Sequence, residues 1–198
     1  REDVVDRLIQ VLSRRTKNNP VLTGEPGVGQ TAVVEGLAQR IAAGNVPVHL
    51  KNKKIVSVDL VGMISGTRFR GDFEERMQKF LEEAQSDDSI ILFLDELHMI
   101  MGAGAGTSDA MDAANMLKPV LARGNLRIIG ATTREEYRKH LETDDALERR
   151  FPPVSVEGPN EEDALLIMRG LKERYEKFHG LTITEEALQE AVHLSSRY

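Results

Sequence analysis

The chain has 198 residues and a formal charge of −6, with 40% hydrophobic and 29% charged side chains. That is ordinary composition for one substantial α/β core plus a small appendage, and the acidic balance argues against tight binding to a nucleic-acid backbone. Cys and Trp are both absent, which excludes disulfides and thiol chemistry and leaves a core built mainly on aliphatic side chains.

In the first segment, Arg1 to Arg15, Val4, Leu8, Val11 and Leu12 recur at helical spacing, and the basic run Arg14-Arg15-Thr16-Lys17 follows. Asn18-Asn19-Pro20 breaks that pattern before a short strand at Val21–Thr23. A helix is predicted from Thr31 to Ala42, a strand from Ile55 to Leu60, and a helix from Phe73 to Gln85 with Met77, Phe80, Leu81 and Ala84 on one face. Ile90–Leu94 is the most apolar strand and the longest fully apolar run, far too short to span a bilayer. Gly102–Gly106 reads as a flexible loop. A helix from about Asp109 to Ala122, a strand at Leu126–Ala131, a short helix at Arg134–Leu141 and a strand at Val154–Val156 follow.

Five strands alternating with helices imply a parallel sheet wrapped on both faces by right-handed crossovers. After Gly158-Pro159-Asn160 only helical periodicity remains, over Glu161–Phe178 and from Thr184 onward. The expected division is a large α/β domain at 1–158 and the start of a small helical domain at 159–198. No secretory signal is visible. The pattern opens inside one helix and stops inside another, so the chain is read as a piece of a longer protein.

Gly24-Glu25-Pro26-Gly27-Val28-Gly29-Gln30-Thr31 follows a strand and opens a helix, the setting a phosphate-binding loop requires. Its glycines let backbone N–H groups turn toward a phosphate, and the helix N-terminus adds partial positive charge. The seventh position of such a loop is normally Lys, which reaches the β- and γ-phosphates; here it is Gln30. An ammonium ~4 Å from a phosphate charge is worth about 4 kcal/mol at an effective dielectric near 20. A neutral, shorter amide should therefore weaken hydrolysis more than ground-state nucleotide binding.

Ile90–Leu94 delivers two adjacent carboxylates, Asp95 and Glu96, to the strand end where ligands bind in open α/β sheets. With the loop upstream, Asp95 is expected to hold Mg²⁺ together with the Thr31 hydroxyl, and Glu96 to orient and polarise the attacking water. Standing alone, the pair would read as a solvated acidic turn. Ile128–Thr133 is a strand ending in hydroxyls suited to a γ-phosphate or its water. Arg149 and Arg150 present two guanidinium groups that can neutralise a transferring phosphoryl group, often across a subunit boundary. Their bland alternative is a surface ion pair with Glu148 or Asp145. His98, in the Asp95-Glu96-Leu97-His98 run, is expected to pack or hydrogen-bond locally.

These segments, with Arg70-Gly71-Asp72-Phe73-Glu74-Glu75-Arg76, Asn115-Met116-Leu117-Lys118-Pro119 and Glu148-Arg149-Arg150-Phe151, make nearly the whole chain similar to one family. It resembles the first nucleotide-binding domain of the Clp-type AAA+ unfoldases, the ClpB-like disaggregases and ClpC-like protease partners. The resemblance implies a P-loop AAA+ fold with a partial helical lid, and ATP or ADP with Mg²⁺ as cofactors. It also implies a homo-hexameric ring in the full-length protein that couples hydrolysis to threading of unfolded or aggregated polypeptide. Residue by residue, it implies that Glu96 is the catalytic carboxylate, Thr133 the sensor of the γ-phosphate, and Arg149 and Arg150 the arginine fingers. Arg68, Phe69 and Arg70 match the axial pore loop, where the family usually has Tyr and this chain has Phe69; an aromatic can grip any extended chain. By itself Phe69 would read as an anchor for the following helix. Gly102–Gly106 resembles a second pore loop. A chaperone or protease partner, no nucleic-acid or membrane partner, and a cytoplasmic or organelle-matrix location are further implications.

Two origins fit Gln30. A degenerate module would be expected to have lost other catalytic groups, yet Thr31, Asp95, Glu96, Thr133, Arg149 and Arg150 all stand, which favours a single recent or deliberate change. Two rival readings remain open on sequence: a catalytically dead scaffold module, and another P-loop machine of helicase or clamp-loader type. An isolated module of this kind is expected to be mainly monomeric and a poor ATPase.

Overall fold

The computed structural model describes residues 2–59, 70–99, 120 and 126–196, and for 70–74 only the backbone. The expected pore-loop residues Arg68 and Phe69, the Arg70 side chain, the Gly102–Gly106 loop and most of the Asp109–Ala122 helix lie outside the described residues.

The chain divides into two compact units, Arg1–Val156 and Glu157–Tyr198. In the first unit, α1 spans Glu2–Leu12, β1 Val21–Thr23, α2 Gln30–Ala42, β2 Lys54–Val58, α3 Arg70–Ser86, β3 Ile90–Leu94, β4 Arg127–Thr132, α4 Arg134–His140, α5 Asp145–Glu148 and β5 Pro153–Ser155. The helix expected to reach Arg15 ends at Leu12. The Arg14 N–H bonds Val11, three residues back, and Lys17 turns to φ 54°, so the basic run leaves the helix as a tightened turn. Other limits differ from expectation by one to three residues, as frayed ends do.

Among the described residues, all five strands are parallel, in the order β2-β3-β4-β1-β5. Side chains alternate across this sheet with period two. Leu92 and Leu94 of β3, Val21 of β1 and Ile128 of β4 face a core shared with Met77 and Leu81 of α3 and Tyr137 of α4. Ile91 and Phe93, Leu22, and Ile129 and Ala131 face the opposite core, shared with Leu8 and Leu12 of α1 and Val34 and Leu37 of α2. Burial on both faces explains why β3 reads as an unbroken apolar run. The buried Asn19 ties the segment before β1 to the sheet, its Oδ1 accepting the Ile128 N–H at 2.9 Å.

The order of strands places the ligand crevice. From β1 the chain crosses by α2 on one face toward β2, whereas from β4 it leaves by α4 on the other face toward β5. Neighbouring strands whose following helices depart to opposite faces open a gap at their C-terminal ends, and that gap lies between β1 and β4.

The second unit consists of α6, Glu161–His179, and α7, Glu185–Ser195. Asn160 caps α6, its Oδ1 accepting the Asp163 N–H at 2.8 Å, ahead of an acidic first turn. Gly180 ends the helix at φ 64°, a left-handed cap. Arg169 of α6 donates to the Glu185 carboxylate of α7. Leu166, Ile167, Tyr175 and Phe178 of α6 are exposed. No described helix is long and apolar enough to cross a membrane.

Candidate nucleotide site

At the β1–β4 gap lies a cavity of about 340 Å³. Gly24, Pro26, Gly27 and Gly29 line it from the loop after β1, and Gln30 and Thr31 from the start of α2. Asp95, Glu96 and His98 line it from the segment after β3, and Thr132 and Thr133 from the end of β4. The loop and the acidic pair, 64 positions apart between Thr31 and Asp95, thus share one cleft.

The loop is shaped by backbone rather than by side chains. Gly27 and Gly29 stand at φ 79° and 89°, conformations that a Cβ would make costly. Gly29 is the N-cap of α2 and supplies no side-chain cap, so the first N–H groups of α2 face the cleft without an intrahelical acceptor. Those donors and the helix dipole suit an anion. Glu25 is exposed, and Val28 packs toward the α1–α2 core; neither side chain lines the cavity.

Gln30 does not occupy the cleft as a free donor. Its Nε2 donates to the Thr132 carbonyl at 2.8 Å and to the Leu22 carbonyl at 3.2 Å, strapping the helix start to the ends of β4 and β1. Among the described residues, the lining therefore holds two carboxylates, one imidazole and no Lys or Arg. Among the described residues lining it, positive potential toward an anion comes from backbone N–H groups and the helix end.

On the opposite wall, Asp95 Oδ1 accepts the Glu96 N–H at 2.9 Å, and its second oxygen has no partner among the described residues. Glu96 adopts φ 50°, a left-handed conformation costing roughly 1–2 kcal/mol for a residue with a Cβ. The Thr31 hydroxyl and the free Asp95 oxygen face one cleft, a donor set suited to Mg²⁺, which keeps several waters and takes one or two protein oxygens beside phosphate. The described residues hold no cluster of three or more His, Cys, Asp or Glu that could form an all-protein metal cage.

Thr133 caps α4, its Oγ1 accepting the Glu136 N–H at 3.1 Å, and its hydroxyl proton has no acceptor among the described residues. Thr132 is more deeply set, 4% exposed, with Oγ1 2.9 Å from His98 Nδ1. Arg149, exposed at the C-cap of α5, and Arg150, half-buried beside it, do not line the cavity. Sequence reasoning missed the contacts of Thr132 and the strapped amide of Gln30; the only available hint was that Thr132 ends a strand on the same side as the loop.

A family model described as "ATPase family associated with various cellular activities (AAA)" matches residues 20–154, which contain both walls of the cleft. The chain belongs to the AAA ATPase family. An AAA lid domain model matches residues 160–198 of this AAA module. Similar proteins include chaperone protein ClpB 2 of a Nostoc strain, 60% identical over all of this chain and 23% of its own length. ClpB of Mycobacterium tuberculosis is 59% identical over 24% of its length. The chain therefore spans about a quarter of these curated relatives. An ADP complex of Hsp104 from S. cerevisiae matches the whole module with TM-score 0.90 and 47% identity, covering 34% of that chain. A complex of the same protein with casein matches with TM-score 0.87 and 46% identity, again over 34% of that chain. The parallel sheet and the helical lid segment are thus those of an AAA module, and nucleotide binding is the family's common property.

Proposed function

We propose that this module is the first nucleotide-binding domain of a ring-forming ClpB-type disaggregase that couples ATP hydrolysis to polypeptide threading. The observation that carries the reading is the single cleft shared by the glycine-rich loop and Asp95–Glu96. Gly24 to Thr31 bind the phosphates of ATP or ADP, chiefly through backbone N–H groups of Gly27, Val28, Gly29 and the α2 start. Thr31 and Asp95 would hold Mg²⁺, whose charge would offset that of the phosphates. Glu96 orients and polarises the attacking water, and the free Thr133 proton contacts the γ-phosphate or that water.

Arg149 and Arg150, set apart from the cleft of their own chain, suit a role at a neighbouring protomer's phosphoryl group. Arg68, Phe69 and Arg70 would meet polypeptide in the ring's axial pore, as the casein complex of the yeast relative suggests for the class of substrate. The division into a large subdomain at 1–158 and a partial lid at 159–198, a hexameric assembly and a cytoplasmic setting belong to the same reading.

Gln30 makes this copy weak in hydrolysis. Its amide is engaged with two carbonyls and is neutral, so it supplies no charge where negative charge develops. A second reading, a nucleotide-holding scaffold without turnover, is favoured by that same strap. Calorimetric titration of ADP and ATP·Mg²⁺ into this chain and its Gln30→Lys variant, with phosphate release measured beside it, separates the two. Binding in both, with release only in the variant, is expected. Binding without release in Gln30→Lys assembled as full-length rings selects the scaffold, and no binding in either sinks both.

A further inference from the structure

The turn carrying Asp95 and Glu96 is anchored at two points that the hydrolytic scheme leaves without a role. Glu96 holds a left-handed backbone, which a residue with a Cβ keeps only where its surroundings impose it. The Met99 N–H closes the turn on the Glu96 carbonyl at 2.9 Å. Leu97, fully buried, lies against Gly130 of β4 so closely that a Cβ there would stand 2.5 Å from its Cδ2. His98, partly buried, places Nδ1 2.9 Å from the Thr132 hydroxyl.

These anchors differ in kind. Apolar contact is non-directional, so Leu97 sets the depth of the turn but not its rotation. A hydrogen bond has a preferred direction, so His98 supplies the missing constraint. The Thr hydroxyl can donate or accept, and serves either imidazole tautomer. Thr132 is itself fixed: its carbonyl accepts from Gln30 Nε2 at 2.8 Å and from the Gly24 N–H at 3.4 Å. The residue that receives His98 is therefore the one that also receives the phosphate loop.

We propose that His98 is a positioning residue, which through the Thr132 hydroxyl registers the Glu96 turn against the phosphate loop. The inference rests on reading Glu96 as the group that orients water. It does not require His98 to touch nucleotide.

The test uses His98→Ala, His98→Asn, Thr132→Val and Thr132→Ser, each in full-length rings carrying this module and in their Gln30→Lys version. Asn places an amide near the position of Nδ1, and Val is isosteric with Thr but lacks the hydroxyl. In the Gln30→Lys background, His98→Ala and Thr132→Val are each expected to slow single-turnover hydrolysis ~10-fold, the loss of about one hydrogen bond. ATP·Mg²⁺ affinity by calorimetry should stay within about threefold in His98→Ala, because the proposal gives that side chain no phosphate contact. The double variant should be no slower than either single one, and His98→Asn and Thr132→Ser should recover most of the rate.

A second readout needs no activity. In the unaltered Gln30 background, exchange of the Met99 amide hydrogen should quicken about tenfold in His98→Ala and Thr132→Val but not in the two conservative variants. Unchanged Met99 exchange overturns the proposal, and so do additive rate losses or a loss confined to affinity. If Gln30→Lys binds ATP·Mg²⁺ without turning it over, the catalytic reading of Glu96 fails, and Met99 exchange still decides whether His98 holds the turn.

Discussion

The phosphate-loop wall and the carboxylate wall of the cleft meet at Thr132 but are held in unlike ways. Gly27 and Gly29 build the first from backbone conformation, and its anion-facing groups are main-chain N–H donors rather than side chains. The second presents side chains: Asp95, Glu96 and His98 line the cleft, and Leu97 and His98 hold the turn against β4. On the proposed function, the difference makes binding and turnover separable. On the same reading, Gln30 in place of the usual Lys leaves the cradle standing and withholds a charge that would matter most in the transition state.

The largest effect that sharpens this contrast is expected from Gln30→Lys in full-length rings. Restoring the ammonium should raise steady-state phosphate release by up to ~10³-fold, from about 4 kcal/mol of Coulomb attraction, while ADP affinity rises far less. Equal gains in affinity and rate would break the distinction between the walls. Next, Glu96→Gln in that background should slow single-turnover hydrolysis ~10²-fold, with ATP·Mg²⁺ affinity kept, as loss of a positioned base does. A fall in affinity of similar size would mean that Glu96 serves binding instead.

A smaller effect concerns the core beneath α4. Tyr137 is buried and donates to the Phe151 carbonyl at 2.8 Å. Burial, then Glu142 and Glu148, pushes its phenol from 10.0 up to about 12. Because the folded pKa is the higher one, this contribution is whole below the unfolded value and is lost as pH rises through the folded value. It amounts to about 2–3 kcal/mol. Urea midpoints should therefore decline on the alkaline side, and Tyr137→Phe should flatten that decline while removing about 1 kcal/mol at neutral pH.

The smallest effect is expected in the helical unit. The hydrogen bond from Arg169 holds the Glu185 carboxyl below its ordinary 4.5 and raises the Arg169 guanidinium. With the folded value depressed, the contribution is present above 4.5 and lost as pH falls through the folded value. Both groups are exposed, so Glu185→Gln should shift the acid limb of the unfolding curve only slightly. A large shift would show that the α6–α7 pair depends on this contact.

Local signals made much of this molecule legible from its residues. Short unbroken apolar runs such as Ile90–Leu94 and helical spacing such as Val4, Leu8 and Leu12 carry their element type in a few neighbouring positions, so the α/β class and the parallel sheet were accessible. The glycine-rich loop was recognisable because positive φ at two nearby positions demands glycine. Other features rest on residues far apart in the chain. The strand order that opens the gap between β1 and β4, the strapping of Gln30 to Leu22 and Thr132, and the meeting of His98 with Thr132 became visible only once the strands were paired. A dihedral preference is a property of one residue and its neighbours, whereas a hydrogen bond between positions 98 and 132 exists only after the sheet has brought their strands side by side.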